Sequence, residues 1–199
     1  MFLKEIDKEA INKLEVRHFA GDIRLIEDAV SCRSAMEEIQ RYSALGFDTE
    51  TKPAFKKGKQ NIIALIQISN HTTAWLFRTN LIGIPPELKA ILENDRILKI
   101  GAGLHDDMRG MRKLANFAPG GFLDLQKYVE AFNIESKSLK KIAAIVLGYK
   151  ISKSQQMSNW EAESLTLQQQ QYAATDAWVC LEIYNKLRTT LKDLNEQSS

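Results

Sequence analysis

Hydrophobic residues recur along this chain either every second residue, as in strands, or every three to four residues, as in helices. Each change between the two patterns marks the boundary of a predicted element. The near-continuous apolar segment 61–69 is typical of a central strand covered on both faces of a sheet. A strand at 44–50 precedes it and another at 73–77 follows closely, so we expect at least part of the sheet to be antiparallel. The remaining predicted strands lie at 18–27, 96–101 and 122–125.

Apolar residues spaced three and four positions apart predict the helices. The helix at 29–42 is expected to begin at Ser31 or Ser34, because Ser34 with Glu37 fits a capping box. Three early strands followed by alternating helices and strands predict an α/β fold with a mixed β-sheet and helices on both faces. The other predicted helical segments are 86–94, 104–115, 126–147 and 166–191.

Composition narrows the class of protein. The 199 residues are 44% hydrophobic and 26% charged, which suits one globular domain at 21–191 between a charged lead-in at 1–20 and a polar tail at 192–199. Because the formal net charge is only +2, nucleic-acid binding would need a local basic patch. Cys32 and Cys180 have neither the number nor the spacing of a disulfide framework or zinc site. The first residues lack a signal-peptide core and no apolar run reaches the ~20 residues that span a bilayer, so we expect a cytoplasmic location and no membrane partner.

Two acidic residues occupy an unusual place in the strand at 44–50. Asp48 and Glu50 are two positions apart, so their side chains point to the same face of the sheet as Gly46. Taken alone, an Asp-x-Glu pair is ordinarily a solvated strand end. Against a core, however, an uncompensated carboxylate is costly or becomes neutral, so a cluster of such groups would need cations.

Two more acidic residues follow Gly103 in the first turn of a predicted helix. Asp107 lies beside the apolar stripe that begins at Leu104, whereas Asp106 lies on the solvent side. An acidic first turn that complements the helix dipole explains Asp106 but not Asp107. The glycines at 101 and 103 resemble the start of a dinucleotide fingerprint, but the third glycine is replaced by Asp106, and we reject that interpretation.

The last predicted helix carries Tyr172 and Asp176 on one face, one turn apart. Val179 and Ile183 continue that face, so both polar groups are expected to point inward. A core aromatic residue with its hydroxyl bonded to Asp176 is the alternative interpretation of Tyr172. Acidic groups that meet near one point can hold metal, and two divalent ions about 3.5–4 Å apart can flank a phosphodiester. Oxygen ligands favour Mg²⁺ or Mn²⁺ over Zn²⁺.

The order Asp-x-Glu, Gly-x-Gly-x-x-x-Asp and Tyr-x-x-x-Asp resembles the motifs of the DEDD superfamily of 3′–5′ exonucleases, in its tyrosine-bearing (DEDDy) branch. The segments 46–50, 64–68, 158–160 and 172–177 are similar to ribonuclease D and to the exonuclease domain of the Werner-syndrome protein. The resemblance implies a ribonuclease H-like fold and a two-metal-ion mechanism. It also implies hydrolysis from single-stranded or frayed 3′ ends of DNA and/or RNA, with release of 5′-mononucleotides.

Site roles follow from the same resemblance. Asp48, Glu50 and Asp176 would hold the first of two Mg²⁺ or Mn²⁺ ions. Asp48 would bridge to the second ion with support from Asp107. Tyr172 would orient the attacking water.

Basic residues on two predicted loops could contact phosphates, although lysines on loops are usually only solvated. Trp160 could stack on a base, or it could anchor its own loop. The candidate lysines are Lys56, Lys57, Lys59, Lys150 and Lys153.

A catalytically inactive nucleic-acid-binding module with the same fold is the alternative hypothesis. The complete set of five residues argues against it, because a degenerate site would be expected to lose a ligand. The choice between DNA and RNA stays open, since it depends on how the site reads a 2′-hydroxyl.

Overall fold

One mixed β-sheet organises the part of the chain that the structure, a computed structural model, describes: residues 2–52 and 62–197. Its six strands follow the order β1-β4-β3-β2-β5-β6. β3 pairs antiparallel with both β2 and β4, whereas β1 with β4, β2 with β5 and β5 with β6 are parallel, so the predicted mixed sheet is confirmed. The strands are β1 (Asp22–Ile26), β2 (Ala44–Thr51), β3 (Ile63–Ser69), β4 (Thr73–Phe77), β5 (Leu98–Gly101) and β6 (Phe122–Asp124).

Helices connect and cover these strands. The segment predicted as helical from 126 to 147 is divided into α6, the 3₁₀ helix Val129–Phe132 and α7, and Asn133, with a φ of 58°, ends the 3₁₀ helix. Within the described residues, the α-helices are α1 (Lys8–Lys13), α2 (Ala29–Ile39), α3 (Thr79–Ile82), α4 (Pro86–Glu93), α5 (Leu104–Leu114), α6 (Leu125–Tyr128), α7 (Leu139–Leu147) and α8 (Leu167–Gln197).

The cap predicted for α2 is wrong. Asp28, rather than Ser31 or Ser34, is its N-cap, and the Asp28 carboxylate accepts hydrogen bonds at 2.8 Å from the backbone N–H groups of Val30 and Ser31. A charged acceptor at the start of a helix satisfies two free N–H groups and also complements the helix dipole.

The sheet separates two layers of helices, as expected for the fold class. Helices α2, α4 and α5 pack on one face against large apolar residues that include Phe47, Trp75 and Phe77. Helices α7 and α8 cover the other face. All seven residues of β3 are buried, which fits its central position in the sheet.

Helix α8 crosses β2 at very short range. A Cβ atom on Gly46 would lie 1.9 Å from the backbone oxygen of Ala177, so only glycine fits at this position of β2. Ala173, Ala174 and Ala177 are fully buried on the facing side of α8. These small residues bring the polar residues of α8 down onto the strand that carries Asp48.

The two ends of the chain contain more structure than the residue pattern predicted. Helix α1 lies inside the charged lead-in, where Ile11 and Phe19 are buried and Val16 forms a bridge with Lys150. Helix α8 continues past the predicted end at Leu191 to Gln197. Among the described helices, none is both long and apolar enough to cross a bilayer.

Candidate active site

A cavity of about 340 Å³ opens beside the C-terminal half of β2, under α8. Asp48 and Glu50 reach it from β2 and Asp176 reaches it from α8. One carboxylate oxygen of each residue lies within 4.8 Å of the others. In the described part of the chain, no other group of three or more acidic, histidine or cysteine side chains is assembled in this way.

Burial and mutual repulsion change the ionisation of these acids. Burial, followed by repulsion from Asp176 and Glu50, raises the pKa of Asp48 well above its usual range. Burial and repulsion from Asp176 raise the pKa of Glu50 to about 9. Burial raises the pKa of Asp176 to about 7, although the Tyr172 hydroxyl and the Lys153 charge both oppose that rise. Without a cation the cluster therefore holds protons near neutral pH, and a divalent ion would displace them.

The residues present fit a divalent metal ion. Asp176 is only 8% exposed, and its Oδ1 atom has no hydrogen-bond partner among the described residues. A buried carboxylate oxygen without a partner is costly, and a cation bound between Asp176, Asp48 and Glu50 would remove that cost. The three side chains offer oxygen ligands only, which suits hard cations.

Asp107 joins the same cavity from the other layer of helices. It projects from α5, and its Oδ1 atom accepts a hydrogen bond from the Thr49 hydroxyl of β2. Asp107 is not part of the close group of three carboxylates. The cavity thus combines Asp48 and Glu50 from one face of β2 with Thr49 and Asp107 from the other.

Asp106 points away from this cavity, as its helix position predicted. Its side chain is 79% exposed and forms a 3.0 Å ion pair with Arg109 on the next turn of α5. Asp106 and His105, to which the sequence gives no role, line a neighbouring cavity. The structure therefore separates two adjacent acids of α5 onto different surfaces.

Two residues that support Asp107 were not found by sequence reasoning. Thr49 carried no separate signal, because a threonine within a strand is ordinary. Asp124, at the end of β6, accepts hydrogen bonds from the backbone N–H groups of Gly103 and Leu104 at 3.0 and 3.1 Å, and so fixes the start of α5. Gly103 has a φ of 77°, which explains the need for glycine there.

Tyr172 lines the cavity one turn before Asp176 and packs against Trp160, whose ring centre is 6.0 Å away. Burial and the nearby Asp176 charge raise the pKa of Tyr172, so its hydroxyl stays protonated. Trp160 itself is fully buried. Of the two interpretations of Trp160, its burial favours the loop anchor over base stacking, because the covered ring packs against Tyr172.

Basic side chains border the carboxylates. Lys153, a predicted phosphate contact, lines the cavity together with Lys137 and Lys140. Sequence reasoning missed Lys137, which precedes α7, and Lys140, in its first turn, because both are distant along the chain from the acids. Lys150 does not line this cavity, and its ammonium group donates to the backbone oxygen of Asn12. The predicted contacts Lys56, Lys57 and Lys59 lie outside the described residues.

Known proteins resemble this chain over most of its length. The chain is 33% identical over 192 residues to the mouse bifunctional 3′–5′ exonuclease/ATP-dependent helicase WRN, which is 88% of this chain and 13% of that protein. It is 32% identical over 152 residues to exonuclease 3′–5′ domain-containing protein 2 of Drosophila melanogaster, which is 74% of this chain and 26% of that protein. The chain thus spans a minor part of either relative's length.

Solved structures agree with the sequence relatives. The exonuclease domain of Nibbler from Aedes aegypti aligns with a TM-score of 0.79 at 25% identity, covering 90% of this chain and 94% of that chain. Escherichia coli ribonuclease D aligns with a TM-score of 0.75 at 25% identity, covering 84% of this chain and 44% of that chain. These alignments confirm the predicted ribonuclease H-like fold. A family model described as 3′–5′ exonuclease matches residues 23–192, and this chain therefore belongs to the 3′–5′ exonuclease family, as its motifs predicted.

Proposed function

We propose that this chain is a metal-dependent 3′–5′ exonuclease that removes nucleotides one at a time from single-stranded or frayed 3′ ends of DNA and/or RNA. The observation that carries the proposal is the close group of Asp48, Glu50 and Asp176, beside Tyr172, in which Asp176 Oδ1 has no hydrogen-bond partner among the residues that the structure describes. Family membership supports the reaction class.

Asp48, Glu50 and Asp176 would hold one ion, and Asp48 with Asp107 would hold a second. Mg²⁺ or Mn²⁺ bound there would lower the pKa of a water molecule and stabilise negative charge on the scissile phosphate. The Tyr172 hydroxyl would orient the water through a hydrogen bond. The water oxygen then bonds to phosphorus, and the bond from phosphorus to the 3′ oxygen breaks. A 5′-mononucleotide leaves, and the shortened strand takes up a proton on its 3′ oxygen.

The lysines at the rim suit an anionic strand. Lys137, Lys140 and Lys153 line the same cavity as the carboxylates, and positive charge at this place attracts an anionic strand. We propose that Lys140 and Lys153 contact the phosphates nearest the 3′ end, whereas the Lys137 ammonium group is paired with Glu130 and donates to the backbone oxygen of Gln126. Both nucleic acids remain candidate substrates: ribonuclease D is described as an exoribonuclease involved in structured RNA processing, and Lys–phosphate contacts do not distinguish a sugar.

Incubation of the purified protein with 5′-labelled single strands of DNA and RNA tests this proposal. In Mg²⁺ or Mn²⁺ we expect a ladder that shortens from the 3′ end, and in EDTA no cleavage. Asp107→Ala should lose the activity, whereas the matched variant Asp106→Ala should keep most of it, because Asp106 lies outside the cavity. Internal cuts in a circular strand, or full activity in EDTA, would contradict the proposal.

The same assay, combined with a measurement of strand binding, distinguishes the exonuclease from the alternative function, an inactive nucleic-acid-binding module. An inactive binding module would retain the labelled strand with normal affinity and leave it intact under every metal condition. The intact set of acids and Tyr172 makes this the less favoured function.

A further inference from the structure

A glutamine beneath the candidate metal site has a side chain without a hydrogen-bond partner in the described part of the chain. Gln67 lies in β3, its side chain is fully buried, and neither Oε1 nor Nε2 has a hydrogen-bond partner among the described residues. Buried side-chain amides are normally paired, because an unpaired donor or acceptor loses its interaction with water without replacement. An unpaired glutamine in the centre of a sheet therefore needs an explanation.

Its position in the sheet limits what the amide can contact. Gln67 is directly opposite Asp48 in the antiparallel pairing of β3 with β2, and directly opposite residues point to the same face of a sheet. That face is covered by α8, since Gly46, two residues before Asp48, lies against Ala177. On its other side Gln67 is paired with Leu76 of β4, which offers no polar side chain.

We infer that Gln67 is a positioning residue for the metal site: its Nε2 group donates to the Asp48 carboxylate when that carboxylate binds a cation. The inference rests on the proposed function only in assuming that Asp48 is a metal ligand. A carboxylate that bridges two ions needs a fixed orientation, and a hydrogen bond from a second residue provides it. An amide suits this task, because it donates without the positive charge that would compete with the ion, as a lysine would.

Gln67→Met tests the assignment, because methionine has a similar length and shape but cannot donate. Ile68→Met is the matched control: it is the next residue of β3, is equally buried and points to the opposite, apolar face of the sheet. Each protein is titrated with Mn²⁺ by calorimetry and melted in EDTA and in Mg²⁺. Gln67→Leu provides a second apolar variant if the methionine variant does not fold.

We expect Gln67→Met to melt in EDTA at or above the temperature of the wild type, because a buried unpaired amide has been removed. Its Mn²⁺ affinity should fall about 10- to 100-fold, as for other residues that orient metal ligands, and Ile68→Met should keep the wild-type affinity. A folded Gln67 variant with wild-type Mn²⁺ affinity would overturn the inference. A variant that loses stability in EDTA and keeps its Mn²⁺ affinity would also overturn it, since Gln67 would then be a structural residue.

Because the readout is metal binding, the result is independent of cleavage. A wild type that binds Mn²⁺ but cleaves no strand would contradict the proposed exonuclease and leave this inference standing, provided that the Gln67 variant binds Mn²⁺ more weakly.

Discussion

The two faces of the sheet bury different kinds of side chain. The face under α2, α4 and α5 packs large apolar residues such as Phe47, Ile68 and Phe77. The face under α8 buries the carboxylate of Asp176 and the amide of Gln67, both with polar atoms that have no partner within residues 2–52 and 62–197. On the first face the indole N–H of Trp75 also has no partner among the described residues, but the unpartnered carboxylate and amide groups lie on the second face. A buried carboxylate without a partner is the costlier departure, and a bound cation would complete it.

The largest expected effect on turnover comes from a substitution on the polar face, compared with a substitution on the apolar face. Asp176→Asn should lower turnover on the order of 10³-fold, since a ligand charge is lost, and should raise the metal-free melting temperature, since an uncompensated buried acid is removed. Ile68→Val, on the apolar face of β3, should cost about 0.5–1.5 kcal/mol of unfolding free energy and leave turnover unchanged. Turnover and thermal unfolding of both variants check the contrast. If Ile68→Val lost turnover as severely as Asp176→Asn, the two faces would not be functionally distinct.

Tyr172→Phe tests the polar face without altering its charge. The ring keeps its packing against Trp160, and only the hydroxyl is removed. A group that orients water or assists proton transfer is typically worth about 10²–10⁴-fold, so we expect turnover to fall by that factor with near-normal strand binding. Single-turnover rates and binding isotherms separate the two quantities. Nearly full turnover in a variant that melts normally would show that the hydroxyl has no catalytic role, and a loss of stability alone would favour the core-aromatic interpretation.

The polar face should also make metal-free stability depend on pH. The pKa values of Asp48, Glu50 and Asp176 are raised by burial in the folded state, to about 9 for Glu50 and about 7 for Asp176. The folded protein thus binds more protons than the unfolded chain, so unfolding free energy falls as pH rises from about 4 through 9. In EDTA, melting temperature should decrease between pH 6 and pH 9. Mg²⁺ should raise the melting temperature more at pH 9 than at pH 6, because fewer protons have to be displaced at pH 9. An equal increase at both pH values would contradict the interpretation that one cation binds between Asp48, Glu50 and Asp176.

Local patterns predicted the six strands, most of the longer helices and the acidic residues that reach the cavity, because each of these rests on periodicity, whereas the short helices α1 and α3 were not predicted. The two-residue period placed Asp48 beside Glu50, and the helical period separated Asp107 from Asp106. Lys137, Lys140, Thr49 and Asp124 could not be predicted in this way. Their roles arise only when the fold brings α7, α5 and β6 together, and no pattern in the neighbouring residues predicts these contacts. The burial of Trp160 likewise depends on distant parts of the chain, namely α8 and its layer of the core.

The smallest effect is expected at the rim, where two lysines of one loop have different surroundings. Lys153 lines the cavity, whereas Lys150 is bonded to the backbone of Asn12. Lys153→Gln should weaken the binding of a 5′-labelled single strand in EDTA by a few fold. Each phosphate contact releases counterions when the strand binds. With one contact fewer, the slope of log affinity against log salt concentration should become less steep by about 0.7. Lys150→Gln removes the same charge from the same loop and should leave that slope unchanged. Fluorescence anisotropy at several salt concentrations measures both slopes, and equal slopes for the two variants would show that position at the rim of the cavity does not decide which lysine meets the strand.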